Sequence, residues 1–254
     1  MADSFIWYDL MTTDLDAAMK FYSAVLGWGI QDSGNPVMEY TVFTVQGHGV
    51  AGLLQVPDEV LKAGGGPAWM GYIHAKDLDD TLKRLTAAGG TIRRPPVLVP
   101  GIIRFAVVAV PQGAGFMVAQ PMSGEAPPDF APDTPGTVGW RELLAVEWQS
   151  AFAFYEKLFG WEKGDAIDMK EMGVYQLFHA NGERTGGMMT KPDYIPVPHW
   201  GFYHNVEAVD AAAARVTAGG GQILMGPHQV PGGQWIVQCK DPQGGHFSLV
   251  SFTK

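Results

Sequence analysis

Asp9 and His74 are the side chains in this sequence best suited to moving a proton. Both lie in strand-like runs, Phe5 to Leu10 and Trp69 to Ala75, where alternate residues share a face. That alternation groups Trp7 with Asp9, and Met70 with Tyr72 and His74. Set together, an imidazole that titrates near neutral pH, a carboxylate to charge or orient it and a phenol to assist make general acid–base chemistry. The same places later in the chain hold Trp140 with Glu142, and Gly201 with Tyr203 and Asn205, an acid without a histidine. A structural alternative stands beside this one: Asp9 and His74 satisfy each other or backbone groups, as buried polar groups normally do.

Other reactive groups point to less. His179, His199, His204, His228 and His246 follow no compact ligand spacing and read as structural or surface histidines. Cys239 is the single cysteine, so no internal disulfide is open to it, and its β-type surroundings, Trp235 to Cys239, suggest a buried, inert thiol. Gly64-Gly65-Gly66 lacks a following Lys-Ser/Thr, and Gly219-Gly220-Gly221 ends a helix instead of opening one, so neither is a phosphate loop. A net charge of −9 without a basic cluster beyond Arg93-Arg94 argues against nucleic acid as a partner. No apolar run approaches the roughly 20 residues of a bilayer span, and Met1 to Phe5 has no basic or apolar leader. A cytoplasmic protein without a membrane partner is expected.

The elements that carry these residues occur twice. Phe21-Tyr22 through Gly27-Trp28 recurs as Phe154-Tyr155 through Gly160-Trp161, and Trp7 recurs as Trp140. Tyr40, Gly47, Gly52 and Pro57 recur as Tyr175, Gly182, Gly187 and Pro192; Trp69 and Tyr72 as Trp200 and Tyr203; and Pro111-Gln112-Gly113 as Pro242-Gln243-Gly244. Ordered self-similarity of this length is a duplicated domain: residues 3–121, a proline-rich linker over 122–137, and residues 138–253. Each copy reads as a pair of βαβββ modules, an α+β fold. In the first, Phe5 to Leu10 is a strand, Asp14 caps a helix that Gly27 ends, and strands fit 39–45 and 50–56. Trp69 to Ala75 restarts the cycle, Leu78, Leu82 and Leu85 stripe the next helix, and strands fit 92–97, 103–110 and 115–119.

Phe-Tyr-x3-Leu/Phe-Gly-Trp closing the first helix and Pro-Gln-Gly-Ala/Gly-x-Phe opening the last strand resemble the vicinal oxygen chelate superfamily of glyoxalase I, extradiol dioxygenases and bleomycin-resistance proteins. Both copies match over nearly their whole length. The resemblance implies tandem glyoxalase-like domains, each with sheets curled into a half-open barrel around a cleft. It also implies a divalent metal on inward His, Gln or Glu of the first and last strands of each module. Those places here hold Trp7, Gly52, Met70 and Met117 in the first copy, and Trp140, Gly187, Gly201 and Ser248 in the second. None offers an imidazole or carboxylate, and a divalent site needs several such ligands converging. No cofactor is expected.

On this reading the first cleft holds His74, Asp9 and Tyr72 as candidate catalytic residues, with Trp7, Met70 and Met117 as ligand contacts. Trp140, Glu142, Tyr203, Asn205 and Ser248 line the second. Trp7 and Trp140 either plug the vacated metal place or supply a stacking face, whereas Trp69 and Trp200 read as core. Three functions remain open: a metal-independent lyase or isomerase acting on a small metabolite, a non-catalytic protein that sequesters a small-molecule ligand, and a scaffold whose clefts are filled. A monomer or a homodimer would serve any of them.

Overall fold

A computed structural model describes residues 3–34, 39–122, 128 and 130–254. The first module is β1 (Phe5–Thr12), α1 (Leu15–Leu26), β2 (Gly29–Asp32), β3 (Thr41–Val45) and β4 (His48–Gln55), followed by a short helix, α2 (Asp58–Lys62). The second is β5 (Ala68–His74), α3 (Leu78–Ala87), β6 (Thr91–Val99), β7 (Ile103–Ala109) and β8 (Gly115–Pro121). The third is β9 (Val138–Ala145), α4 (Trp148–Phe159), β10 (Glu162–Asp168), β11 (Val174–Ala180) and β12 (Glu183–Thr190). The fourth is β13 (His199–Asn205), α5 (Val209–Ala218), β14 (Gln222–Gln229), β15 (Trp235–Lys240) and β16 (His246–Ser251). The chain is thus two tandem α+β domains of paired βαβββ modules.

In every module the first strand pairs parallel with the last, and the remaining strands pair antiparallel. The connection between these parallel neighbours runs through the helix and the two intervening strands, the long crossover that such pairing needs. The strand orders are β2-β3-β4-β1-β5-β8-β7-β6 and β10-β11-β12-β9-β13-β16-β15-β14.

Helix limits follow from local chemistry. The Asp14 carboxylate accepts from the Ala17 N–H at 3.0 Å at the start of α1, and Gly27 ends it in a left-handed conformation, φ 73°. Glu147 and Gly160, φ 70°, do the same for α4. In the first copy the sequence pattern passes over two elements, β2 and α2. All four residues of β2 are exposed, so there is no alternation to read, and α2 is only five residues long with none buried.

Contacts divide the chain into two compact units that cut across the repeat. One contains Met1–Ile6, Met70–Pro127 and Arg141–Trp200, and the other Trp7–Trp69, Pro128–Trp140 and Gly201–Lys254. Each therefore combines a module of the first copy with a module of the second. Of the proline-rich linker, residues 123–127 and 129 lie outside the described residues.

The first unit is built on an aromatic stack. Tyr155 lies flat on Trp161, 4.8 Å between centroids and 8° between planes, and Trp161 on Phe178 at 4.5 Å and 7°. Trp200 Nε1 donates to the Tyr155 hydroxyl at 2.9 Å. Arg84 of α3 donates to the Leu158 carbonyl at the end of α4, 2.7 Å, and Trp161 Nε1 to the Asp3 carbonyl, 2.7 Å. The second unit repeats the scheme. Tyr22 and Phe43 flank Trp28, Trp69 Nε1 donates to the Tyr22 hydroxyl at 3.1 Å, Arg215 donates to the Val25 carbonyl at 2.8 Å, and Trp28 Nε1 to the Gly136 carbonyl at 2.7 Å. The arginines meet the carbonyl end of a helix, where cations are favoured. Trp69 and Trp200 are core residues, each 6% exposed.

The units differ in buried polarity at two of their equivalent places. The second buries Asp241 and His204 where the first has Val110 and Ile73. Asp241 accepts from the Tyr22 hydroxyl and the Gly245 and Gln243 N–H groups, and the His204 ring packs against Trp28 and Trp69.

Candidate functional site

Trp7, Asp9, Tyr40 and Gly52 form a polar corner in the second unit. Asp9 stands opposite Gly52 in the parallel pairing of β1 with β4. Tyr40, just before β3, reaches across that glycine and donates to Asp9 Oδ1 at 2.7 Å. Trp7 Nε1 donates both to Asp9 Oδ1, 2.9 Å, and to the Tyr40 hydroxyl, 2.8 Å. Asp9 is buried, and Trp7 and Tyr40 are half-buried. Burial first, then the neighbouring Asp9 charge, holds the Tyr40 phenol well above its ordinary pKa, so Tyr40 stays a donor.

The glycines make this packing possible. A Cβ at Gly52 would fall on the Tyr40 hydroxyl and the Asp9 carboxylate, and one at Gly49 would come within 3.1 Å of the Trp7 ring. The sequence pattern does not mark Tyr40 as a site residue: in the repeat it matches Tyr175, but only as the start of a strand.

In the first unit His74 Nδ1 lies 3.2 Å from Asp3 Oδ1, with both side chains partly exposed. The His74 N–H donates to the Ser4 carbonyl at 2.9 Å, so the end of β5 fastens the segment leading into β1. Tyr72 is buried, stands opposite Met117 in the β5–β8 register and packs edge-on to Phe105 at 5.6 Å. Met117 is buried, and Met70 is half-buried with its methyl group 3.6 Å from a Cβ placed at Gly115.

The fourth module places polar groups at the corresponding positions. Gln238 Nε2 donates to the Tyr203 hydroxyl at 3.0 Å, and Ser248 stands opposite both Tyr203 and Gln238 in the sheet. Gln238, which takes the place of Val107, is a second residue the sequence pattern left unmarked. Asn205, the counterpart of His74, donates to the Pro132 carbonyl at 2.9 Å and the Thr137 hydroxyl at 3.0 Å, holding the segment that leads into β9. Asn205 also lines a surface pocket of about 470 Å³ with Glu207, Gln234 and Phe252. Trp140 is half-buried on β9. Glu142, in the first unit, stands opposite Gly187, where a Cβ would fall on the Tyr175 ring.

Donor chemistry at the places where the family holds its metal does not fit a divalent cation. Indoles at 7 and 140 and glycines at 52, 187 and 201 supply no ligand, Met70 and Met117 supply soft thioethers, and Ser248 a neutral hydroxyl. At Gly52 a phenol hydrogen-bonded to Asp9 takes the space of a side chain. Among the described residues no three His, Cys, Asp or Glu side chains cluster as a metal site, and no helix is long and apolar enough to cross a membrane.

Comparison with known proteins shows the family of the chain. The Glyoxalase/Bleomycin resistance protein/Dioxygenase superfamily matches twice, over residues 4–114 and 139–248. CFP32 of Mycobacterium tuberculosis, whose name marks it as a candidate glyoxylase, is 32% identical over 250 residues, covering 96% of this chain and 93% of its own. The anthracycline biosynthesis protein DnrV of Streptomyces peucetius is 29% identical over 272 residues, covering 96% and 91%. Among solved structures, the Mn(II)-bound glyoxalase of Novosphingobium aromaticivorans superposes with TM-score 0.64 at 19% identity, over 100% of this chain and 82% of that one. A variant of homoprotocatechuate 2,3-dioxygenase from B. fuscum superposes with TM-score 0.67 at 14% identity, over 98% and 72%. With both copies matched and the fold shared, this chain belongs to the Glyoxalase/Bleomycin resistance protein/Dioxygenase superfamily.

Proposed function

We propose that this protein binds a small planar organic molecule against the Trp7–Asp9–Tyr40 corner without the divalent metal of its family. One observation carries the reading: where the family places a metal ligand opposite the first strand, this chain has Gly52 with the Tyr40 hydroxyl over it, bonded to Asp9. Half-buried indole and phenol rings suit a planar aromatic body. The name of DnrV is consistent with such a ligand, an anthracycline being a fused-ring aromatic. Binding without turnover, as in sequestration, needs nothing more from the chain.

The His74–Asp3 pair favours a second reading, catalysis. A partly exposed imidazole 3.2 Å from a carboxylate is a competent general base, and a lyase or isomerase would use it. Three measurements separate these readings. Elemental analysis of protein purified without a histidine tag is expected to find no stoichiometric divalent metal, and one tightly held ion per chain would overturn the metal-free reading. Tryptophan quenching across a panel of planar metabolites is expected to saturate, and a flat response throughout would leave a scaffold. Turnover that survives chelator and is lost in His74→Ala would establish the catalytic reading.

A further inference from the structure

We infer that Tyr40 is the positioning residue of this site and makes it select planar aromatic ligands without regard to a pair of adjacent oxygens; the inference rests on the binding reading above. Tyrosine and glycine occur as a coupled pair. A Cβ at Gly52 would land on Tyr40, and in the other unit a Cβ at Gly187 would land on the ring of Tyr175. The pairs correspond in the repeat, so the same replacement is built twice in separate surroundings. One reason covers both: a side chain on the fourth strand and the tyrosine ring cannot share the space.

In the first module the hydroxyl also orients its neighbours. Tyr40 accepts the Trp7 N–H at 2.8 Å and donates to Asp9 at 2.7 Å, while the same N–H reaches Asp9 at 2.9 Å. The indole and phenol donors therefore both turn toward Asp9, which is 2% exposed. Trp7 and Tyr40 keep partial exposure, and with their polar atoms engaged it is their rings that a ligand meets. Aromatic faces reward stacking. They give no advantage to neighbouring oxygens, which a metal would chelate.

The test uses the full chain. Naphthol, with one oxygen, and a dihydroxynaphthalene with adjacent hydroxyls are titrated calorimetrically with and without MnCl₂, into wild type and Tyr40→Phe. The Trp7 indole N–H resonance, assigned by its loss in Trp7→Phe, reports the position of the ring. Wild type is expected to bind both probes with similar affinity, unchanged by Mn²⁺. Tyr40→Phe keeps the ring but frees the Trp7 indole from the hydroxyl, and is expected to shift the Trp7 resonance and weaken both probes about three- to tenfold, the worth of the one aromatic contact that Trp7 then makes out of place. A Mn²⁺-dependent preference for adjacent hydroxyls overturns the inference and the metal-free reading together. A shifted resonance with both affinities unchanged overturns the inference alone. No binding of either probe to wild type overturns the binding reading and the inference with it. Should Tyr40→Phe fail to fold, the wild-type comparison of probes still decides selectivity.

Discussion

The Tyr22 hydroxyl donates to Asp241 Oδ2 over 2.8 Å, joining α1 of the first copy to the turn before the last strand of the second. Asp241 also accepts from the Gly245 N–H at 2.7 Å, and a Cβ on residue 245 would sit 2.6 Å from its carboxylate. The other unit has Val110 with Ala114 at these places. Aspartate with glycine and valine with alanine are thus matched solutions of one turn. Asp241→Val alone is expected to leave the Tyr22 hydroxyl with one hydrogen bond fewer, costing about 1–3 kcal/mol. Adding Gly245→Ala is expected to restore much of that by filling the space. Urea denaturation of the single and double variants measures the coupling; simple additivity would show that the two positions are independent.

Burial raises the pKa of Asp241 above the ordinary aspartate value, against the hydrogen bonds from Tyr22 and the turn, which lower it. The folded state therefore holds this proton more tightly than the unfolded state. The stabilisation is full below the unfolded value, near 4, and is lost as pH rises through the raised folded value. Subtracting the pH profile of Asp241→Asn melting temperatures from that of wild type should give a curve that falls across this window. A curve that rises there would mean the hydrogen bonds outweigh burial.

Arg84 and Arg215 each bridge the two copies, ending on the Leu158 and Val25 carbonyls at the ends of α4 and α1. Replacing either by alanine removes a charge-assisted hydrogen bond and the cation from a helix C-terminus, a loss of about 1–2 kcal/mol. Because each arginine lies within its own unit, the two losses should add. Chemical denaturation of both single variants and the pair checks this.

Gly52→Ala is expected to destabilise by about 1–3 kcal/mol, the scale of overpacking, because the new methyl meets Tyr40 and Asp9. Combining it with Tyr40→Ala should cost less than the sum of the two. Thermal melts of the four-member cycle report the difference.

Cys239 is 1% exposed, and burial pushes its thiol pKa up to about 12. The native protein should remain unreactive toward Ellman's reagent at mildly alkaline pH, with one thiol per chain appearing on unfolding. Rapid labelling of the native state would contradict the packing of β15.

Much of the fold was legible in the residues because its signals are local. Asp14 and Gly27 bound α1 through their own backbone bonds, and the spacing of Leu78, Leu82 and Leu85 stripes α3 whatever it packs against. The repeat strengthened these signals by showing each of them twice. Exposed β2 escaped because a strand without a buried face has no alternation to display. Of the candidate site, strand parity reached only Trp7 with Asp9, whose side chains hydrogen-bond; His74 and Tyr72, expected in the same cleft as Asp9, belong to the other compact unit. Three partners were beyond that reach. Tyr40 lies 31 residues from Asp9, Asp3 lies 71 from His74, and Gln238 lies 35 from Tyr203. By itself, then, the sequence determined the modules and their duplication, because each is a matter of residue type at a position. Only the tertiary structure decided that modules of different copies share a compact unit, that Tyr40 rises over Gly52, and that Asp3 stands beside His74. Those are contacts between segments distant in the chain, chosen by which surfaces fill each other's space, and no local pattern encodes them.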